Sequence, residues 1–269
     1  MLRFTTWAAL AAMASLGCSS SSSDPAGTGG APPTDGGTGG AGGADAAQAI
    51  CTTPTAVLCS DQVFQEMNLK KPPAPGNITS TPDGAGFSST IDATAGGAFN
   101  PNPDSYVYGR FDDTGLLKVD IGDEEALDSM DWDIAFRRYV MRINSGHSGP
   151  SCVTAARLPG APVYDDLTQV PAGLTYRNDE YFTASCEIIP DGSGLPNSPA
   201  TALSSYWTYP GCVQMTGNVF VVRVASGRQL KLTVTHYYDD ANQQTCNTTG
   251  SVPQGTPSAT FQMRWSWLD

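Results

Sequence analysis

Hydrophobic and polar side chains alternate most regularly near the C-terminus of the chain. Every second residue from 259 to 267 is apolar, and the residues between them are Thr, Gln, Arg and Ser. Successive side chains of a β-strand point to opposite faces of the sheet. The pattern therefore predicts a strand with one face on a core and the other face towards solvent.

A β-hairpin is predicted directly before that strand. Residues 218–224 and 229–238 are rich in β-branched and aromatic side chains, and Gly227 between them supplies the positive φ that such a turn favours. In the second strand of the hairpin, the spacing places His236 on the apolar face together with Val234.

Two earlier stretches, 104–111 and 132–143, are predicted as strands because they are rich in β-branched and aromatic residues. Helix signals are weak, and the short acidic segment 122–130 is expected to form one or two turns. The Pro- and Gly-rich segments 71–104 and 187–200 are predicted as long connections. Together these features predict an all-β domain of antiparallel sheets with little helix.

The N-terminus has the parts of an export signal. Residues 1–17 combine one Arg, an apolar stretch too short to span a bilayer as a helix, and small residues before the expected cleavage site. The end of this stretch, Ser15-Leu-Gly-Cys18, resembles a bacterial lipobox, although the pattern prefers Leu one position earlier; an ordinary secretory signal is the alternative. We expect lipidation at Cys18, a disordered Ser-, Gly- and Ala-rich tether over 18–49, and one β domain over 50–269.

The net charge of the chain bears on which classes of partner it can bind. The chain carries a formal net charge of −12 at pH 7. Such an acidic chain repels nucleic-acid phosphates and anionic lipid headgroups. We therefore expect no nucleic-acid partner, and membrane contact through the lipid anchor only.

Six cysteines follow Cys18, and an even number in an exported chain predicts up to three disulfides. Cys51 and Cys59 are close enough in sequence to bridge each other and are the favoured pair. Structural zinc is the alternative, but the chain has no CxxC spacing and only two His. The candidate disulfide cysteines are Cys51, Cys59, Cys152, Cys186, Cys212 and Cys246.

Three blocks of sequence follow one another in a recognisable order. The first is the strand Trp132-Asp-Ile-Ala-Phe-Arg-Arg-Tyr139, followed by Arg142-Ile-Asn144 and the loop Gly146-His-Ser-Gly149. The second is the hairpin that begins with Val219-Phe-Val-Val-Arg223, and the third is the aromatic C-terminal strand. In this order the blocks resemble the HmuY family of exported haem-binding lipoproteins.

The resemblance implies a β-fold of antiparallel sheets and a haem bound in a surface cleft, with its iron held by two side chains. It also implies that such proteins acquire haem and pass it to an outer-membrane receptor, and that they are not enzymes. We therefore expect haem or a related tetrapyrrole as the cofactor, no metal beyond the haem iron, and a location at the cell envelope, at the outer membrane.

The resemblance also directs the search for iron ligands to the region before Val219, which contains no His. Tyr209 and Met215 lie in this region, and phenol and thioether groups both ligate haem iron. His236 is the third candidate ligand. The aromatic cluster around Tyr209, which includes Tyr206 and Trp207, is expected either to stack on a macrocycle or to pack between the sheets.

Other chemistry has less support in the sequence. His147 lies in a Gly-rich loop and is expected to be exposed to solvent. The loop Gly146-His-Ser-Gly149 is not the nucleophile elbow of hydrolases, and we expect no enzymatic activity. Arg137, Arg138 and Arg142 are expected to pair with acidic clusters or to meet a propionate or another anion. A HmuY-like domain that has lost haem ligation and serves as an interaction or binding module of the envelope is the alternative function.

Overall fold

The computed structural model describes residues 51–94, 104–195 and 197–269 of the 269-residue chain. The predicted signal peptide, the lipidation candidate Cys18 and the predicted tether lie outside the described residues. None of the helices in the described part of the chain is both long and apolar enough to cross a membrane.

The described residues form twelve strands and three α-helices, with one short 3-10 turn at Ser204–Tyr206. In chain order the elements are α1 (Ser60–Glu66), β1 (Ile78–Asp83), β2 (Gly86–Asp92), β3 (Val107–Asp112), β4 (Gly115–Val119), α2 (Asp123–Ala126), β5 (Ile134–Arg137), β6 (Val140–Ile143), β7 (Thr154–Arg157), β8 (Trp207–Thr208), β9 (Gln214–Met215), β10 (Val219–Arg223), β11 (Gln229–His236), α3 (Asp240–Thr249) and β12 (Thr260–Leu268).

The strands form a large sheet, a small sheet and a ribbon. The large sheet has the order β1-β2-β12-β11-β10-β7, the small sheet has the order β4-β3-β5-β6, and β8 and β9 form a two-stranded ribbon. Each pairing between these strands is antiparallel. The predicted all-β class with antiparallel sheets is confirmed.

The core of the large sheet follows from the alternation seen in the sequence. Phe261, Met263 and Trp265 of β12 are fully buried, whereas the intervening positions are partly open to solvent. The predicted hairpin is β10 paired with β11, and Gly227 in its turn has a φ of 84°.

The two sheets pack face to face through aromatic contacts. The ring of Phe111 in β3 lies 4.9 Å from that of Trp265, and Phe136 in β5 lies 5.4 Å from Phe261. Burying rings of this size removes a large apolar area from water, so these contacts hold the sandwich together.

The stretch 132–143 is two strands rather than one. Its residues form the β5–β6 hairpin, and Arg138 in the turn has a φ of 51°. Segment 71–104, predicted as a connection, contains β1 and β2, and the 10-residue helix α3 was not predicted at all. The predicted helical turn within 122–130 is α2.

Charged groups are buried behind the outer face of the small sheet. Arg142 is fully buried and donates to Ser148 Oγ (3.1 Å) and to the Ser148 carbonyl (2.7 Å). Asp179, also fully buried, accepts from Ser148 Oγ (2.6 Å) and from the backbone N–H groups of Ile143 and Ala202 (2.8 Å each). The Gly146–Gly149 loop is therefore held by a satisfied network of buried polar groups.

Two disulfides are formed in the described residues, Cys59–Cys186 and Cys212–Cys246, and Cys51 and Cys152 carry free thiols. The predicted pair Cys51–Cys59 is wrong. Cys59 lies at the start of α1, where its Cα is 5.6 Å from that of Cys186, so the chain brings together cysteines that are 127 residues apart.

Candidate functional site

The β8–β9 ribbon brings two of the three candidate ligands together. Trp207 lies directly opposite Met215 across the ribbon, and opposite residues of an antiparallel pair project to the same face. Tyr209 follows Trp207 by two residues, and its ring meets the Trp207 ring edge-on with the centroids 6.2 Å apart. We call the surface formed by Trp207, Tyr209 and Met215 the aromatic ribbon.

Burial changes sharply along the aromatic ribbon. Trp207 is 2% exposed, Met215 is half-buried against the core, and Tyr209 is 39% exposed. Tyr206 is also buried, and its hydroxyl donates to the Tyr139 carbonyl (2.7 Å). Tyr206 and Trp207 therefore pack between the sheets, whereas Tyr209 offers its ring and hydroxyl to solvent.

Helix α3 holds the ribbon in place. Asn247 accepts from the Met215 N–H (3.0 Å), and its carbonyl accepts from the Gln214 side chain (2.8 Å). Gln243 donates to the Val213 carbonyl (3.1 Å), and the Cys212–Cys246 disulfide joins the segment before β9 to the same helix. These contacts fix the backbone on which Met215 stands.

The sequence contained signals for α3 that the strand analysis did not use. Asp239 caps the helix N-terminus by accepting from the Asn242 N–H (3.0 Å), and Gly250 ends it with a φ of 73°. An acidic or amide cap followed by a Gly about ten residues later is a helix signature.

A positive charge lies beside the ribbon. The Arg138 guanidinium stands over the Tyr139 ring at 5.1 Å, and the Tyr139 ring lies 5.0 Å from that of Trp207. Burial raises the pKa of Tyr237, and a hydrogen bond with Ser258 and the charge of Arg138 partly offset that rise.

The three arginines of this region have separate roles. Arg137 forms an ion pair with Asp123 of the predicted acidic cluster (3.6 Å), and Arg142 belongs to the buried network. Arg138, at the β5–β6 turn, is the arginine of the three that lies beside the aromatic ribbon.

His236 lies away from the aromatic ribbon. The pairing of β11 with β12 shifts between Val234 and His236, so His236 lies opposite Gln262 on the polar face. The expectation that it shares the apolar face with Val234 is wrong. Its Nδ1 bonds the Thr235 hydroxyl (3.0 Å), and its Nε2 lies 3.6 Å from Asp240. Asp240 begins α3, about 10 Å along the helix from Asn247 at 1.5 Å per residue.

Tyr209 and Met215 are both neighbours of Trp207. Met215 lies opposite Trp207 across the ribbon, and Tyr209 lies one residue beyond the end of β8 with its ring against that of Trp207. Phenol and thioether groups both ligate haem iron, so Tyr209 and Met215 are the residues of the ribbon with donor atoms of the right kind.

A cavity lies beside the Cys59–Cys186 disulfide. It has a volume of ≈ 570 Å³, and its walls include Leu58, Phe182, Glu180 and His147. Neither this cavity nor the neighbouring one of ≈ 430 Å³ is lined by any of the three candidate ligands.

His147 is buried, being only 6% exposed, so the expectation of a solvent-exposed histidine is wrong. Its Nδ1 accepts from the backbone N–H groups of Tyr181 (3.1 Å) and Phe182 (3.3 Å). The ring proton therefore sits on Nε2, which leaves that nitrogen without a lone pair for a metal. Burial lowers the pKa of His147, which also favours the neutral ring.

His147, Ser148 and Asp179 are neighbours but do not form a nucleophilic triad. Ser148 is fully buried and donates directly to Asp179, while the His147 ring is engaged by backbone N–H groups. A triad requires a hydrogen bond between the Ser hydroxyl and the His ring. In the described parts of the chain, no group of three or more His, Cys, Asp or Glu side chains is arranged to hold a metal ion.

Comparison with known families identifies the class of protein. The family described as HmuY protein matches residues 102–250, which is more than half of the chain and includes the aromatic ribbon, α3 and His236. This chain belongs to the HmuY family, as the sequence predicts.

Three solved structures that resemble this chain come from bacteria. A protein named as a lipoprotein, from Bacteroides fragilis NCTC 9343, is 16% identical, with a TM-score of 0.42 over 69% of this chain and 91% of its own. A protein named as HmuY-like and haem-binding, from Bacteroides vulgatus ATCC 8482, is 16% identical, with a TM-score of 0.42 over 70% and 95%. The apo form of a HmuY analogue from Tannerella forsythia is 17% identical, with a TM-score of 0.37 over 71% and 97%. No curated protein matches the chain.

Proposed function

We propose that this chain binds haem or a related tetrapyrrole at the aromatic ribbon and acts by binding rather than by catalysis. Membership of the HmuY family is the observation that carries the proposal, because the matched residues 102–250 contain the whole ribbon. The exposed ring of Tyr209 beside the half-buried thioether of Met215 supports it from the geometry.

Each residue of the ribbon has a distinct part in this proposal. When bound, haem would supply an iron centre that a phenol or thioether side chain could ligate. Tyr209 or Met215 would hold the iron, and the exposed Tyr209 ring would give the macrocycle an apolar surface to pack on. Arg138 would meet a propionate, because its guanidinium stands over the Tyr139 ring beside the ribbon.

The cellular role follows from the same proposal. An envelope lipoprotein held through Cys18 at the outer membrane would take up haem and hand it to an outer-membrane receptor. A ligand held from one side by a single partly exposed residue suits transfer, because release needs little rearrangement of the core.

A second function is a HmuY-like envelope module that binds a partner without haem. One observation favours it: Trp207 and Tyr206 are buried between the sheets, and His236 is engaged by Thr235 and Asp240. In this case Tyr209 would be a contact residue for a protein or glycan.

A haem titration of the purified protein, followed by visible absorbance, separates the two functions. Saturable binding with a shifted Soret band, under oxidising or reducing conditions, is expected for the haem-binding protein. A His236→Gln variant is the matched control and should bind as the wild type does, because His236 lies away from the ribbon. A flat titration under both conditions would exclude the first function.

A further inference from the structure

The first described residues of the domain, 51–59, run as a strap across its surface. Thr55 donates from both its N–H (2.8 Å) and its hydroxyl (3.0 Å) to the Pro150 carbonyl, and the Cys51 N–H donates to the Ala225 carbonyl (3.0 Å). The far end of the strap is bonded covalently through Cys59. We call residues 51–59 the N-terminal strap.

The near end of the N-terminal strap lies against a second cysteine. The Cys51 N–H donates to the Ala225 carbonyl, and the β7–β10 pairing, which matches Arg223 with Thr154, places Ala225 and Cys152 two residues beyond that pair in the two chains. The Cys51 side chain also contributes to the raised pKa of Cys152, after burial, and both side chains are half-buried. Cysteines are bridged when their Cα atoms lie within about 7 Å of each other. Every other cysteine in the described parts of the chain is already in a disulfide.

We infer that Cys51 and Cys152 form a third disulfide in the mature protein, so that the N-terminal strap is cross-linked to the domain at both ends. This inference does not depend on haem binding. It follows from the backbone contacts of the strap and from the position of Cys152 beside Ala225, to which the Cys51 N–H is hydrogen-bonded.

The bond forms by exchange with a disulfide-bearing oxidant of an exported compartment. One thiolate attacks a sulfur of the oxidant to give a mixed disulfide and release one oxidant thiol. The second cysteine, as its thiolate, then attacks the mixed disulfide, forms the Cys51–Cys152 bond and releases the other oxidant thiol. The two cysteines lose two electrons and two protons, and the oxidant is reduced to a dithiol.

The third disulfide has a consequence for the surface around the strap. Thr55 and Ala56 line both the ≈ 430 Å³ and the ≈ 570 Å³ cavities, so the strap forms a wall of each. With both ends bonded covalently, the N-terminal strap cannot detach from the domain at its N-terminal end. A force applied to the chain before residue 51 then reaches the domain through the covalent Cys51–Cys152 bond and not through hydrogen bonds alone.

Peptide mapping of the purified full chain tests the inference directly. The protein is incubated with oxidised glutathione, alkylated under denaturing conditions without reductant, and digested with chymotrypsin, which separates Cys51 from Cys59 by cutting after the exposed Leu58. We expect a linked pair of peptides carrying Cys51 and Cys152. Alkylation of both residues, or a link from either one to glutathione or to a different cysteine, would overturn the inference.

A Cys152→Ser variant tests the consequence for the strap. It should expose one alkylatable thiol, at Cys51, and leave Cys59–Cys186 and Cys212–Cys246 linked. Cleavage by a non-specific protease between residues 51 and 55 should become at least several-fold faster than in the wild type. Equal cleavage rates, with Cys51 and Cys152 linked in the wild type, would refute the mechanical role while leaving the disulfide itself established.

Discussion

Cys246, on the buried face of helix α3, is bonded to Cys212, which lies three residues before Met215. The disulfide therefore connects the aromatic ribbon to the same helix that hydrogen-bonds the Met215 backbone. Cys59–Cys186 lies elsewhere, on the wall of the cavity beside His147. Of the two disulfides formed in the described residues, Cys212–Cys246 is therefore the one that supports the candidate site.

The double variant Cys212→Ser/Cys246→Ser should lose both stability and ligand affinity. Opening a loop of 34 residues costs about 3–4 kcal/mol of unfolding free energy in the chain-entropy account, and the loosened ribbon no longer presents Tyr209 and Met215 together. Urea unfolding and haem titration measure the two effects.

Cys59→Ser/Cys186→Ser is the matched control for that variant. It opens a longer loop, of 127 residues, and should cost about 5 kcal/mol by the same account. Its haem affinity should nevertheless stay within about threefold of the wild type whenever the protein is folded. Equal loss of affinity in both double variants would mean that affinity follows stability and not the ribbon.

The buried Arg142 should be essential for stability. Replacing it in Arg142→Met removes its hydrogen bonds to Ser148 and leaves buried acceptors, among them the Ser148 carbonyl, without a donor. Breaking a buried charged network by removing one partner typically costs about 3–5 kcal/mol. Arg110→Met, at an exposed position of β3, should change the unfolding free energy by less than about 0.5 kcal/mol. Similar urea midpoints for the two variants would contradict this account.

Asp133 should make stability depend on pH. Burial raises the pKa of Asp133 to about 6, and its carboxylate accepts from the Phe111 N–H (2.9 Å). The raised folded-state pKa favours the protonated form in the folded protein. The stabilising contribution is therefore fully present below the unfolded pKa of about 4 and is lost as pH rises to about 6.

The variant Asp133→Asn, which cannot ionise, tests this dependence. The difference in unfolding free energy between variant and wild type should shift in favour of the variant by about 2–3 kcal/mol between pH 4 and pH 7, since a pKa shift of one unit corresponds to about 1.4 kcal/mol. Asp131→Asn, at an exposed position two residues away, should show a constant difference over the same range. A constant difference for Asp133→Asn as well would show that its pKa is not raised.

The sequence predicted the strands in which apolar residues alternate with polar ones. The β12 strand and the β10–β11 hairpin were found in this way because their buried faces are continuous. Strands β1 and β2 were missed because they are built from Ser, Thr and Asp, and β1 contains Pro82. Strand β1 lies at the edge of the large sheet, where one side of its backbone has no partner strand, so it tolerates Pro82.

The choice of Tyr209 and Met215 as candidate ligands stays a prediction. The resemblance directed the search to the region before Val219, whereas the position of both residues beside Trp207 depends on the pairing of Trp207 with Met215. The position of His236 could not be predicted from its spacing, because one extra residue in a bulge reverses the face of every side chain beyond it. Helix α3 was missed because Asn, Thr and Asp have low helix propensity.

The most direct test of the central claim is a haem titration of the wild type beside the double variant Tyr209→Phe/Met215→Leu. Both substitutions keep the apolar volume and remove the two donor atoms, so the fold should be retained with a loss of less than about 1.5 kcal/mol per site. The account predicts saturable binding by the wild type, and a loss of the shifted Soret band and at least a tenfold weaker affinity in the variant. Unchanged spectra and affinity in a folded double variant would contradict the assignment of the haem site to the aromatic ribbon.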